Sequence, residues 1–120
     1  MPLIRIDNNP NVIDETVLKQ LVRSLLDFAM NLHSMNQDQI SIFTQNYSSA
    51  SHSTAAAEVE IRAKKLEYGS DPDQKRQEHI DKYNQFLATF LKSHSISEGI
   101  VLTITLEDWS VRWIPGEGNA

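Results

Sequence analysis

The sequence has no cysteine, only four glycines, and 11 Lys and Arg against 16 Asp and Glu. Without cysteine there can be no disulfide, thiolate metal ligand or cysteine nucleophile, which fits a reducing compartment. The four glycines form neither a dinucleotide fingerprint nor a phosphate-binding loop. A formal net charge of −5 argues against a nucleic-acid partner, because such proteins use Lys and Arg to neutralise phosphates.

Long apolar runs are missing as well. No stretch of the sequence approaches the roughly 20 apolar residues needed to span a bilayer, and the first residues lack the regions of a signal peptide. The negative charge also disfavours anionic membrane surfaces. We therefore expect a cytoplasmic protein that has no membrane partner.

What is present is a chain of 120 residues with 40% hydrophobic side chains, enough for one domain with a modest core. Near its start, Ile4 and Ile6 alternate with more polar positions, which is typical of a strand with one buried face. Pro2 suits the first residue of this strand, where its missing N–H costs little. The chain is therefore expected to begin inside a sheet.

Two strand-helix-strand patterns follow one another. Their spacing predicts strands near 2–8, 39–45, 58–66 and 100–106, and helices near 14–34 and 72–94. The helical patterns repeat at one offset of 59 residues, with Leu21 matching Ile80 and Phe28 matching Leu87. We predict an α+β fold in which duplicated βαβ units form a four-stranded sheet with two helices on one face. The last strand is expected to be central, because its long apolar run suggests cover on both faces.

The predicted domain organisation is a single domain over 1–120, divided into a first βαβ unit at 1–45, a connector at 46–57, a second βαβ unit at 58–106 and a tail at 107–120. Small polar residues make the connector a surface loop or, alternatively, part of a site. The tail contains both tryptophans, Trp109 and Trp113. We expect a partner subunit to cover them; the alternative is a hairpin folded back on the same sheet.

Pro2 is also a candidate chemical group. If Met1 is removed, the nitrogen of Pro2 becomes a free secondary amine whose unperturbed pKa lies within about a unit of neutrality. Desolvation at the edge of an apolar sheet would lower that pKa further, because burial disfavours the cation. Pro2 is thus a candidate general base. The four histidines lack metal-ligand spacing and are interpreted as surface or boundary residues: His33, His52, His79 and His94.

With Pro2 opening a strand and two βαβ units behind it, the chain resembles the tautomerase superfamily, which includes macrophage migration inhibitory factor and 5-carboxymethyl-2-hydroxymuconate isomerase. The likeness rests on element order and length, from Met1-Pro2-Leu3-Ile4 through Ile40-Ser41-Ile42 and Lys65 to Lys75-Arg76-Gln77 and Leu102-Thr103-Ile104-Thr105-Leu106. It implies a homotrimer with pockets between subunits, in which the processed N-terminal proline acts on keto or enol acids without metal or cofactor.

On this resemblance Pro2 is the catalytic base of a cofactor-independent tautomerase or isomerase. Several family enzymes hold the substrate carboxylate with an arginine in the second strand, where this chain has Ser41. The resemblance therefore implies that the cation comes from elsewhere, and the candidates are Arg62, Lys64, Lys65 and Arg112.

Two other interpretations stay open. The order strand, helix, strand, strand, helix, strand is also that of ferredoxin-like modules, which would make this a small-ligand-binding protein. A tautomerase-like trimer without catalysis, retained as a binding protein, is the other alternative.

Overall fold

The structure is a computed structural model that describes residues 2–47 and 54–107. Its main elements are β1 (Leu3–Asn8), α1 (Glu15–His33), β2 (Ser41–Asn46), β3 (Ala57–Lys64), α2 (Pro72–Ser93) and β4 (Ile100–Glu107). Short 3₁₀ helices at Gln37–Gln39 and Lys65–Tyr68 lead into β2 and towards α2. Every predicted helix and strand is present, and no boundary differs by more than two residues.

The sheet has the strand order β2-β1-β3-β4. Within each βαβ unit the two strands are parallel, because the helix between them returns the chain to the same end of the sheet. The two units meet where β1 and β3 pair antiparallel, with Leu3 opposite Arg62 and Asn8 opposite Ala57. A ferredoxin-like module would have another strand between the parallel pair, so the direct pairing of β1 with β2 excludes that alternative.

The prediction that the last strand is central is wrong. The centre of the described sheet is occupied by β1 and β3, and β4 lies at an edge. Only Ile104 of β4 is buried, whereas 52% of the surface of Val101 is exposed. The apolar run suggested cover on both faces, but β-branched residues such as Val101 and Thr103 favour a strand even where only one face is packed.

Both helices pack on one face of the sheet, as predicted. In β3 the residues Ala57, Val59, Ile61 and Ala63 are buried, and the residues between them are more exposed. Ala57, Val59 and Ile61 of β3 belong to one core cluster with both helices. The helices contribute Leu21, Leu25, Ala29, Tyr83, Leu87, Phe90 and Leu91 to it. The opposite face of the sheet carries charged residues and is not covered by any described helix.

Local capping fixes where the helices begin. The Asp14 carboxylate accepts a hydrogen bond from the Val17 backbone N–H at 2.9 Å, and Asp71 does the same for Gln74 at 3.2 Å. Asp is one of the residues preferred at this position, because its carboxylate accepts a hydrogen bond from a backbone N–H of the first turn. At its other end α1 stops at Ser34, whose left-handed backbone (φ 53°) turns the chain away from the helix axis. Within residues 2–47 and 54–107, neither helix has the length and apolarity to cross a membrane.

Candidate functional site

A cavity of about 240 Å³ lies where β1 begins, α1 ends and α2 begins. Its described lining combines apolar, aromatic and charged side chains: Pro2, Leu32, His33, Ser34, Met35, Ala63, Glu67, Tyr68, Lys75 and His79. The antiparallel register of β1 and β3 brings the two strands together at this end, because Leu3 lies opposite Arg62. The cavity is therefore built from both βαβ units.

Pro2 lies in the wall of this cavity and is itself buried. Its carbonyl accepts a hydrogen bond from the Ser41 backbone N–H at 3.3 Å, which ties the residue to the start of β2. Proline has a fixed φ and no N–H, so this single carbonyl bond and the packing around the ring define its position. The candidate base predicted from the sequence therefore lines a cavity.

The predicted cations lie elsewhere. Arg62 points to the uncovered face of the sheet and forms an ion pair with Glu107 of β4. Lys64 ends β3 and Lys65 begins the following 3₁₀ helix. None of these three residues belongs to the described lining of the cavity, and Arg112 lies outside the described residues.

The charged groups in the described lining are instead Lys75 and Glu67. Lys75 lies in the first turns of α2, where it is exposed at the rim. Glu67 accepts a hydrogen bond from the Lys64 backbone N–H at 3.3 Å, which holds its carboxylate against the 3₁₀ helix. Nothing in the local sequence distinguishes Lys75 from an ordinary solvated lysine, because its position depends on how α2 packs beside β1.

Two histidines form an aromatic cluster beside the cavity. His33 Nε2 lies 2.8 Å from the hydroxyl oxygen of Tyr83, and His79 Nδ1 lies 3.0 Å from that of Tyr68. The two imidazole rings meet edge to face, with centroids 4.9 Å apart. The cluster joins the last turn of α1 to the first half of α2.

His79 is only 5% exposed, so the prediction of a surface or boundary residue is wrong for this histidine. The sequence did contain a usable pattern. His79 stands four residues before Tyr83 and eight before Leu87, which is the spacing of the buried stripe of α2. His33 is half-buried and agrees with the boundary prediction, although its cavity position was not foreseen.

Solved structures share this architecture. A protein described as a probable enzyme from the thermophilic fungus Aspergillus fumigatus superposes with a TM-score of 0.72 at 14% identity, covering 97% of this chain and 82% of that chain. A macrophage migration inhibitory factor-like protein from Entamoeba histolytica gives a TM-score of 0.53 at 14% identity, with 92% and 93% covered. A member of the cis-3-chloroacrylic acid dehalogenase family gives 0.61 at 9% identity, with 88% and 75% covered.

The chain has the tautomerase-superfamily fold. The resemblance predicted from Pro2 and the duplicated units is therefore confirmed at the level of fold. No protein-family model and no curated protein matches the sequence. At 9% and 14% identity, the superpositions establish the fold alone.

Burial sets the protonation states of the two histidines that line the cavity. Burial is the largest effect and, together with the neighbouring His79, lowers the pKa of His33 to about 4. Glu67 opposes this shift, and the positive charge of Lys75 adds a weaker lowering effect. Burial and Lys75 also lower the pKa of His79. Both imidazoles are consequently neutral at neutral pH.

The pKa values of the two tyrosines beside these histidines shift in the opposite direction. Burial raises the pKa of Tyr68 to about 12, and burial also raises the pKa of Tyr83. Both phenols therefore keep their protons and can donate hydrogen bonds. Within residues 2–47 and 54–107, no three His, Asp or Glu side chains converge as metal ligands.

Proposed function

We propose that this protein is a cofactor-independent tautomerase or isomerase in which Pro2, after removal of Met1, is the general base. The observation that carries the proposal is the burial of Pro2 in a cavity that also contains a cation and neutral hydrogen-bonding groups. A free α-amino group has a pKa of about 7.7–8.0, and burial lowers it towards neutrality. A general base with a pKa near the operating pH contributes roughly 10²–10⁴-fold to a rate.

The proposed step moves one proton. The Pro2 nitrogen takes it from the carbon next to the substrate carbonyl, the C–H electron pair becomes the enolate C=C bond, and the carbonyl π electrons move onto oxygen. The protonated Pro2 nitrogen then returns the proton to the other end of the system, which is the oxygen of a simple enol or the far carbon of a dienol. In the dienol case the oxygen re-forms its C=O bond.

The proposed substrate is a small keto or enol acid. Lys75 supplies a positive charge for its carboxylate at the rim of the cavity. The volume of about 240 Å³ is smaller than that of pockets for drug-sized ligands, roughly 300–1,000 Å³, which favours a small molecule. Arg62, Lys64 and Lys65 remain proposed carboxylate-binding residues only through a neighbouring subunit, because the described lining of the cavity does not contain them. Arg112 also remains a proposed carboxylate-binding residue, and it lies outside the described residues.

We also propose that the chain assembles as a homotrimer, as the resemblance implies. The uncovered face of the sheet and its edges support association: 60% of the surface of Phe43 on β2 and 52% of that of Val101 on β4 are exposed. Burial of these two side chains between subunits would remove apolar surface from water, which favours association. Trp109 and Trp113, which a partner subunit is predicted to cover, lie outside the described residues.

The function is tested by assaying three forms of the protein on phenylpyruvate-type enols and muconate-type dienols. Intact mass identifies the processed protein, a Met1-retaining form and processed Pro2→Ala. We expect no activity from the Met1-retaining form, because its proline nitrogen is an amide, and partial activity from Pro2→Ala, which still has a primary amine. Equal rates in all three forms would exclude the proline mechanism. A processed trimer that binds these acids without turnover would favour the non-catalytic binding protein.

A further inference from the structure

We propose that His33 donates a hydrogen bond from Nδ1–H to the enolate oxygen of the substrate, and that Tyr83 fixes the tautomer that makes this possible. The inference rests on the proposed function and adds to it a positioned electrophile and a narrower substrate class. His33 Nε2 lies 2.8 Å from the hydroxyl oxygen of Tyr83, within hydrogen-bond distance.

The direction of that bond follows from the burial of Tyr83, whose exposed surface is 0%. A buried hydroxyl needs an acceptor for its proton, because an unpaired buried donor is destabilising. Within residues 2–47 and 54–107, His33 Nε2 is the acceptor that the Tyr83 hydroxyl reaches. Tyr83 therefore donates and Nε2 accepts, which leaves the proton of the neutral imidazole on Nδ1.

Nδ1 of His33 is the ring nitrogen that Tyr83 does not occupy. The ring lines the same cavity as Pro2, and no hydrogen bond within the described part of the chain occupies this nitrogen. The position of the ring is defined by its neighbours: His79 packs edge to face against it, and Phe28 packs edge to face against Tyr83 at 5.1 Å. The donor is thus held in place before any substrate arrives.

His79 is paired with a buried tyrosine in the same way. Tyr68 is 3% exposed, and its hydroxyl lies 3.0 Å from His79 Nδ1. By the same reasoning Tyr68 donates to Nδ1, and the proton of His79 stays on Nε2. The two tyrosines therefore fix opposite tautomers in the two imidazoles that share this wall of the cavity.

A fixed, neutral donor suits an enolate oxygen. Preorganised donors lower the energy of developing negative charge, because the site does not have to reorganise when that charge forms. The depressed pKa of His33 supports this role, since a neutral imidazole stabilises the oxygen without becoming a competing acid. Pro2 remains the group that moves the proton.

The arrangement also narrows the substrate class. A ligand that uses Lys75 through a carboxylate and His33 through an oxygen must carry both groups close together in a small cavity. A 2-oxo acid and its enol have the carboxylate and the oxygen on adjacent carbons. We therefore expect 2-oxo acids with an acidic C–H at the next carbon to be preferred over ketones that lack a carboxylate.

The first test uses the processed protein without substrate. Long-range proton–nitrogen NMR of the histidine rings should show His33 with a protonated Nδ1 and an unprotonated Nε2 at pH 7, and Tyr83→Phe should convert it to a mixture of tautomers. A protonated Nε2, or an imidazolium at pH 7, would overturn the inference whether or not the protein is an enzyme.

The second test uses oxalate, which presents a carboxylate beside an anionic oxygen as an enolate of a 2-oxo acid does. Oxalate should shift the His33 Nδ1–H resonance, and His33→Ala should bind it at least 10-fold more weakly than the matched control His94→Gln. His94 lies at the end of α2 and contacts Gln20 instead of the cavity. An unshifted resonance, or equal affinity in the two variants, contradicts the proposal.

Turnover separates this inference from the proposed function. His33→Ala should lower kcat by roughly 10²–10³-fold with a smaller change in KM, as for loss of an oxyanion donor, and His94→Gln should not change kcat. Tyr83→Phe, whose fold is checked by circular dichroism, should also lower kcat. If oxalate binding depends on His33 but the processed protein never turns over a keto acid, the donor site stands and the enzymatic proposal fails.

Discussion

The stability of this fold should fall on mild acidification because of His33. Its pKa drops from 6.5 in the unfolded chain to about 4 in the folded protein. Between these pH values His33 is protonated in the unfolded state but neutral in the folded state. Its contribution to the free energy of unfolding is therefore fully present above pH 6.5 and is lost as the pH falls towards 4. The full difference corresponds to about 3 kcal/mol, and partial exposure of the ring reduces it to about 2 kcal/mol.

The change to make is His33→Gln, which removes the titrating ring and keeps a polar side chain near Tyr83. Urea unfolding at one protein concentration and at pH 7, 6 and 5 gives the free energy of unfolding for both proteins. At pH 7 the variant should be less stable by about 1 kcal/mol, because a hydrogen bond is weakened. Its stability should then fall less than that of the wild type on acidification.

An NMR titration of His33 provides the control for this prediction. The pKa of His79 is also lowered in the folded protein, but His79 is present in both the wild type and the variant. The difference between their pH dependences therefore reports on His33. Parallel pH dependence in the wild type and the variant, or protonation of His33 above pH 6, would refute the reasoning.

Lys75→Gln should raise KM for keto acids by about 10–100-fold, because a charged hydrogen bond contributes about 1.5–3 kcal/mol, whereas Lys92→Gln at the far end of α2 should not; steady-state kinetics check this. Asp71→Ala should lower the free energy of unfolding by about 1 kcal/mol in urea titrations, through loss of the α2 cap. Truncation after Glu107 should weaken the proposed trimer, and an unchanged mass in light scattering at micromolar concentration would contradict this.

The elements and the duplicated units were predictable because their patterns are local. The alternation of Ile4 and Ile6 marks β1, and Asp14 and Asp71 mark the starts of the helices. Each of these features depends only on residues a few positions apart, so it can be recognised from the sequence alone. The fold class followed from the order in which the patterns occur.

The place of β4 in the sheet was not predictable in the same way. Its residues satisfy strand propensity at an edge as well as at the centre, since Val101 and Thr103 are β-branched. Which strand lies at the edge depends on how the two βαβ units join, and this is decided by the antiparallel pairing of β1 with β3. That pairing joins residues far apart in the sequence, such as Leu3 with Arg62 and Asn8 with Ala57.

The cavity was predicted only in part. Pro2 stood out because of its position at the start of a strand, but Lys75 and the two histidines did not. His33 ends α1 and His79 lies in α2, so they meet only when both helices pack on the same face of the sheet. Contacts of this kind depend on tertiary packing, which leaves little trace in the spacing of single residues.

The pKa of the Pro2 nitrogen in the processed protein tests the central proposal most directly. It can be measured by nitrogen NMR and compared with the acidic limb of the pH dependence of kcat/KM, which reports the base of the free enzyme. We predict a pKa below the roughly 7.7–8.0 of a free α-amino group, equal to the pKa of that kinetic limb. A pKa at or above that range, or a kinetic limb that does not coincide with it, would contradict the assignment of Pro2 as the base.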